Sequence, residues 1–307
     1  MPLPVLAVVG PTATGKSELA LDVIELLGGP EAAEAVNADA MQLYRGMDVG
    51  TAKLPVAERR GVVHHQLDVL DVTEEASVAA YQREARADLA AVAARGRRGV
   101  LVGGSGLYVR AVLDELEFPG TDPEVRSRLE ERAEEEGPGL LHRELAERDP
   151  VAAERIPRGN PRRIVRALEV IELTGRPYSA TLPEHHYHLP AVQVAIDVPR
   201  EELLVRIAAR ARAMLDGGLL EETRELLAAG LAQGRTASRA VGYAQAVAVL
   251  EGRLSVEDAH EAISVATRQL ARRQSQWFRR DPRVHWLPPS ADLPARVAEL
   301  LARHDGA

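Results

Sequence analysis

Apolar residues in the first hundred positions fall in short runs separated by helical stretches. Residues 3–9 form a Val-rich run ending at Gly10, the pattern of a strand buried on both faces. Residues 16–27 then place Leu19, Ala20, Val23, Ile24 and Leu27 on one helical side. Residues 33–38 predict a second strand, and 78–94 a long Ala-rich helix. Residues 99–102 predict another buried strand, ending in Gly103-Gly104-Ser105-Gly106. Strands alternating with helices predict an α/β fold with a parallel sheet core flanked by helices, and ligands at the strand C-termini.

The middle of the chain differs. Between about 118 and 180 only helical patterns occur, at 122–136, 140–147 and 161–174, with Pro119-Gly120 and Gly175-Arg176-Pro177 at the ends. A strand-like run returns at 192–198, and helices follow from 201 through 278. The expected organisation is a core of residues 1–117 and 181–307, helical in its C-terminal part, interrupted by a helical insertion domain at 118–180.

Composition narrows the functional classes. Of 307 residues, 46% are hydrophobic and 27% charged, so the chain has the make-up of a folded globular protein. It has no Cys, which excludes disulfides, Cys–zinc sites, iron–sulfur clusters and a thiol nucleophile. No apolar run is long enough for a membrane span. No basic region precedes the first apolar run, so no signal peptide is expected and a cytoplasmic location is. Lys and Arg total 38 against 46 Asp and Glu, a net charge of −8. That argues only weakly against nucleic acid, because the basic residues cluster. Arg268, Arg272, Arg273, Arg279, Arg280 and Arg283 face one acid, Asp281; Arg155, Arg158, Arg162, Arg163 and Arg166 form a second group. Such clusters suit either a solvated helix face or a polyanion contact.

Gly10-Pro11-Thr12-Ala13-Thr14-Gly15-Lys16-Ser17 matches the phosphate-binding P-loop pattern, after a strand and opening a helix. Glycines let the backbone wrap a phosphate, and the helix N-terminus adds positive potential. Lys16 brings a mobile charge and the Ser17 hydroxyl a ligand for Mg²⁺. The motif specifies a di- or triphosphate, not what is attached to it. After the second predicted strand comes Asn37-Ala38-Asp39-Ala40-Met41-Gln42, which puts Asp39 on the P-loop's edge of the sheet. There it suits a general base, a group near Mg²⁺, or a helix cap. Gly103-Gly104-Ser105-Gly106 is a third strand end, open to close backbone approach or to an ordinary turn. His64-His65 point to opposite faces if they lie in a strand and cannot easily share a metal; the His185-His186-Tyr187-His188 cluster lies in a loop and is not read as a metal site.

Together these segments resemble the tRNA dimethylallyltransferase (tRNA isopentenyltransferase) family. The resemblance runs through GPTATGKS at 10–17, NADAMQLYRGMDVGTAK at 37–53, HHQLDVLDV at 64–72, LVGGSGLY at 101–108, RDPVAAERI at 148–156, RRIVRALEVIELTGRP at 162–177, SRAVGYAQA at 238–246 and TRQLARRQSQWFRRD at 267–281. It implies a P-loop NTPase-like core and the transfer of a dimethylallyl group from dimethylallyl diphosphate to an adenosine amine. That adenosine lies next to the anticodon, on its 3′ side, in tRNAs reading codons that begin with U. Mg²⁺ is implied as cofactor, and no ATP is hydrolysed.

By the same resemblance Asp39 is the catalytic base. Gly10, Pro11, Thr12, Ala13, Thr14, Gly15, Lys16, Ser17 and Arg210 hold the diphosphate, with Ser17 on the metal. The tRNA anticodon stem-loop would meet Asp39, Ala40, Met41 and Gln42, then Ser105 and Arg126. Arg162, Arg163, Ile164, Val165 and Arg166 would meet it from the insertion, and Arg239, Gly242 and Tyr243 from the C-terminal part. A flipped adenine and single-stranded loop recognition fit this chemistry. Two positions depart from the usual pattern: Ala40 replaces a Ser, and Ser105 a Thr. A monomer is expected. Two other readings remain: a small-molecule kinase using the same P-loop, and a non-catalytic RNA-binding module.

Overall fold

Strand β1 (Val5–Val9) is apolar throughout because both its faces are covered. Leu6 and Val8 pack with Leu19, Val23 and Ile24 on one side. Val5, Ala7 and Val9 pack with Tyr81, Leu89 and Leu101 on the other. The computed structural model describes residues 3–181 and 185–305; residues 1–2, 182–184 and 306–307 of the ranges expected above lie outside it. β1, β2 (Ala33–Asn37), β3 (His64–His65), β4 (Arg98–Gly103), β5 (Ala191–Ile196) and β6 (Val284–Leu287) pair in parallel, in the order β3-β2-β4-β1-β5-β6. The chain leaves β1 for one edge and returns beside it, so β1 sits at the reversal of strand order where open α/β sheets bind ligands.

Helices α1 (Lys16–Leu26), α2 (Val78–Ala94) and α3 (Gly106–Leu113) follow β1, β3 and β4. Four helices come next: α4 (Pro123–Glu135), α5 (Pro138–Arg148), α6 (Pro150–Arg155) and α7 (Pro161–Thr174). Then come α8 (Arg200–Asp216), α9 (Leu219–Ala228), α10 (Tyr243–Leu250), α11 (Val256–Phe278) and α12 (Leu293–Ala302). The chain forms two compact units, Met1–Leu113 with Tyr187–Ala307, and Asp114–His186.

The second unit is built by capping. Asp122, Asp149 and Asn160 each accept a backbone N–H at a helix start, with Pro at the first turn. Its core is Leu129, Leu141, Leu145, Ile156, Ile164, Leu168 and Ile171. In the first unit, α8 to α11 pack a separate apolar cluster around Tyr44, Met47 and Tyr243. That cluster braces residues 41–52, which border the site. No helix among the described residues is long and apolar enough to cross a membrane.

Candidate active site

The P-loop leaves β1 at Gly10 (φ 119°) and enters α1 through Gly15 (φ 93°), with Ala13 also left-handed at φ 64°. Glycine permits two of these three turns. The Thr14 hydroxyl and the Lys16 ammonium both donate to the Pro11 carbonyl, at 2.9 and 2.6 Å. The Lys16 side chain is half-buried by surface, but its ammonium lies deep in the protein. Burial lowers it to about 8; Asp39 opposes the shift and Arg210 adds to it. Burial likewise lowers the Arg210 guanidinium, again opposed by Asp39.

Asp39 is held by an Asx turn after β2. The Asn37 Oδ1 accepts the Asp39 N–H at 2.9 Å, and the Asn37 amide donates to the carbonyls of Asp39 and Gln66. One Asp39 oxygen accepts the Met41 N–H at 3.0 Å. The Ser105 hydroxyl accepts the Ala40 N–H at 3.0 Å, while the Ser105 N–H donates to Ala38. The strand-end turn of β4 therefore fastens the turn that carries Asp39.

Two cavities of the first unit share Thr12, Asp39, Thr51 and Arg210. The narrower, about 80 Å³, adds Lys16, Ser17, Asn37 and Gln42. The wider, about 240 Å³, adds the apolar Met41, Met214, Val241, Ile263 and Leu270, with Arg239 at its side. Charge for a phosphate and an apolar chamber thus meet at one carboxylate.

Gln274 of α11 is not among the residues expected from the sequence, yet it ties the site together. Its Oε1 accepts the Thr12 N–H at 2.9 Å and its Nε2 donates to the Gly104 carbonyl at 3.0 Å. Its signal is spacing: with Ile263, Thr267 and Leu270 it forms one helical stripe. Gly104, which it meets, and the neighbouring Gly103 both sit where a side chain would force something to shift. A Cβ on Gly103 would fall 2.2 Å from the Ala38 carbonyl carbon, and one on Gly104 2.5 Å from the Gln274 amide nitrogen. β4 lies beside the P-loop strand, with Gly103 opposite Val9. Its end carries no acid where nucleotide-hydrolysing P-loop proteins use a carboxylate for Mg²⁺.

The remaining expected residues divide. Arg162, Arg163 and Arg239 are exposed and hold no ion pair among the described residues. Arg126 and Arg166 both bind the buried Glu169, at 2.6 and 2.8 Å, and Arg166 also donates to Pro119 and Gly120. Burial would raise the Glu169 carboxyl, but the two arginines hold it below its usual range. Ile164 and Val165 correct the expectation of RNA contact: at 0% and 3% exposed they are core residues of the second unit. Tyr243 is a second correction. It is fully buried and donates its hydroxyl to Glu222 at 2.6 Å, so its side chain cannot meet RNA. Gly242, which opens α10, is buried too, so the expected RNA contact there is likewise corrected. His65 Nε2 donates to the Glu34 carboxylate at 2.7 Å and His64 Nδ1 to the Val62 carbonyl at 2.9 Å, so each has a structural partner.

Comparison with known proteins gives a consistent answer. The tRNA dimethylallyltransferase of Kineococcus radiotolerans is 58% identical, over 97% of this chain and 96% of its own. That of Thermobifida fusca is 57% identical, over 98% and 95%. The crystal structure of the tRNA isopentenylpyrophosphate transferase from Bacillus halodurans superposes with a TM-score of 0.69 at 34% identity, over 99% of this chain and 96% of that one. Residues 42–281 match the IPP transferase family, and the chain belongs to that family.

Proposed function

We propose that this protein transfers the dimethylallyl group of dimethylallyl diphosphate to the exocyclic N6 amine of a tRNA adenosine, releasing diphosphate. The observation that carries the reading is the sharing of Asp39 between a phosphate-type cavity and an apolar one. The adenine amine is a poor nucleophile because its lone pair is delocalised into the ring. It attacks C1 of the donor, the C1–O bond breaks, and the amine proton passes to Asp39. Negative charge grows on the departing diphosphate, where the P-loop N–H groups, Lys16 and Arg210 face it. Met41, Met214, Ile263 and Leu270 keep water from the allylic fragment.

The Ser17 hydroxyl and Asp39 line the same cavity, and the described residues hold no cluster of three acids or histidines for a metal. That donor set suits Mg²⁺, which keeps waters and phosphate oxygens and takes few protein ligands. Bound there, Mg²⁺ would neutralise diphosphate charge. The missing acid at the end of β4 speaks against the kinase reading. The target is the adenosine 3′ of the anticodon in tRNAs reading codons that begin with U, turned out of the stack. Exposed Arg162, Arg163 and Arg239 meet RNA phosphates. The protein acts in the cytoplasm as a monomer.

The test is transfer of label from dimethylallyl diphosphate to an anticodon stem-loop with Mg²⁺ and no ATP, followed by digestion to nucleosides. Label on adenosine is expected. Absence of label, with phosphoryl transfer from ATP to a metabolite instead, would overturn the reading.

A further inference from the structure

Outside the transfer machinery, one carboxylate occupies a position built for an anion. The N–H groups of Asp48, Val49 and Gly50 converge on Glu222 of α9, at 3.1, 2.8 and 3.2 Å. Three successive N–H groups turned to one point form an anion-binding concavity. The buried Tyr243 hydroxyl closes the group from the far side, 2.6 Å from the same carboxylate. Gly50 lies flat against that ring, where a Cβ would come within 2.4 Å of it.

The next residue carries the consequence into the site. The Thr51 carbonyl accepts from Arg210 at 3.1 Å and from the Gln42 amide at 3.2 Å. The Thr51 hydroxyl donates to Met47 at 2.6 Å, which closes the turn on itself. Thr51 and Arg210 border both cavities around Asp39.

We propose that Glu222 is a positioning residue of the transfer reaction: by clamping residues 48–50 it fixes the Thr51 carbonyl that aims Arg210 at the diphosphate. The inference rests on the reading of Arg210 as a diphosphate ligand. Glu222 lines neither cavity around Asp39. A groove of about 420 Å³, bordered by Arg45, Asp71, Thr73, Glu222 and Glu225, leads to the carboxylate from outside. A small carboxylate can therefore reach the three N–H groups when the side chain is shortened.

The experiment uses the full chain with Glu222→Ala, Glu222→Gln, Arg210→Ala and the Arg210→Ala/Glu222→Ala pair. Donor KM and kcat are measured with saturating anticodon stem-loop, and RNA KM separately. Glu222→Ala is expected to raise donor KM about tenfold with RNA KM nearly unchanged, since charge-assisted hydrogen bonds are the strong ones. Sodium formate should restore donor KM, and sodium chloride at equal ionic strength should not. In the Arg210→Ala background the second substitution should cost less than about twofold, because coupled residues are not additive. Should Glu222→Ala not fold, Glu222→Gln, alone and paired with Arg210→Ala, carries the donor KM and additivity comparisons, keeping the volume and losing the charge; the formate readout belongs to Glu222→Ala only.

A wild-type donor KM in the Glu222 variants, full additivity in the pair, or a loss that formate leaves untouched would each overturn the positioning role. Arg210→Ala with a wild-type donor KM would instead sink the reading of Arg210 as a diphosphate ligand, and the inference with it. Raised donor KM in Arg210→Ala alone sinks only the part played by Glu222.

Discussion

Raising the pH should weaken donor capture through Lys16. Burial brings its ammonium to about 8 in the free protein, and a bound diphosphate raises it again by direct attraction. Between those two values the charged form binds and the neutral form does not. With a free value of about 8, about nine-tenths of the molecules are charged at pH 7 and about one-tenth at pH 9. The expected fall in kcat/KM for the donor is therefore about tenfold over that interval, while kcat at saturating donor stays level. The fold is not the cause: the unfolded chain binds more protons between about 8 and 10.5, so Lys16's own contribution to stability rises with pH there. Initial rates of label transfer at limiting donor and saturating RNA, at fixed ionic strength, read the profile directly. Lys16→Arg keeps its charge throughout and should lose the break near pH 8. The same break in Lys16→Arg, or a wild-type profile level well past pH 9, would refute the assignment.

Three further perturbations follow from the site. Asp39→Ala should leave donor binding intact by titration while transfer falls by orders of magnitude; unchanged transfer would remove Asp39 as the base. Charge reversal at Arg162 and Arg163 should weaken tRNA binding and flatten its salt dependence by about 0.7–0.9 for each phosphate no longer neutralised; an unaltered slope would mean these side chains meet no phosphate. Gln274→Leu deletes two hydrogen bonds worth about 1 kcal/mol each, so kcat/KM for the donor should drop by roughly tenfold or more; a wild-type value would show that the P-loop keeps its shape without the amide.

The sequence pattern exposes what is local. A Val-rich run before Gly10 marks β1, and helical spacing marks α2 and α7 at their observed limits. β3 has only two residues, too few for any period, and exists because β2 offers it an edge. β6 hides behind the Arg-rich end of α11, and α6 is a single short piece between two capping turns. The same limit applies to the site. A P-loop is contiguous and visible, and Asp39 follows from its strand. Gln274 meets Thr12 across 262 positions, and Glu222 meets Gly50 across 172; helical spacing puts Gln274 on one stripe of α11 but names no partner so far along the chain. The burial of Ile164 and Val165 is legible in the pattern, against the RNA contact that the resemblance implies: with Leu168 and Ile171 they form a helical apolar stripe, and such stripes face inward. Tyr243 needs the fold itself, because only its packing against Gly50 shows it buried.

The glycines at the end of β4 bear on what this scaffold could become. A carboxylate beside the P-loop would be the first requirement for splitting nucleoside triphosphates with water. At Gly103 the added carbon would run into the backbone of the turn that carries Asp39, and at Gly104 into the amide that braces Thr12. Any such acid would displace the base or loosen the phosphate loop before it could act. The close packing that assembles a transferase thus obstructs an acid at either glycine, and an engineer wanting one there would have to move the β2 turn or Gln274 first.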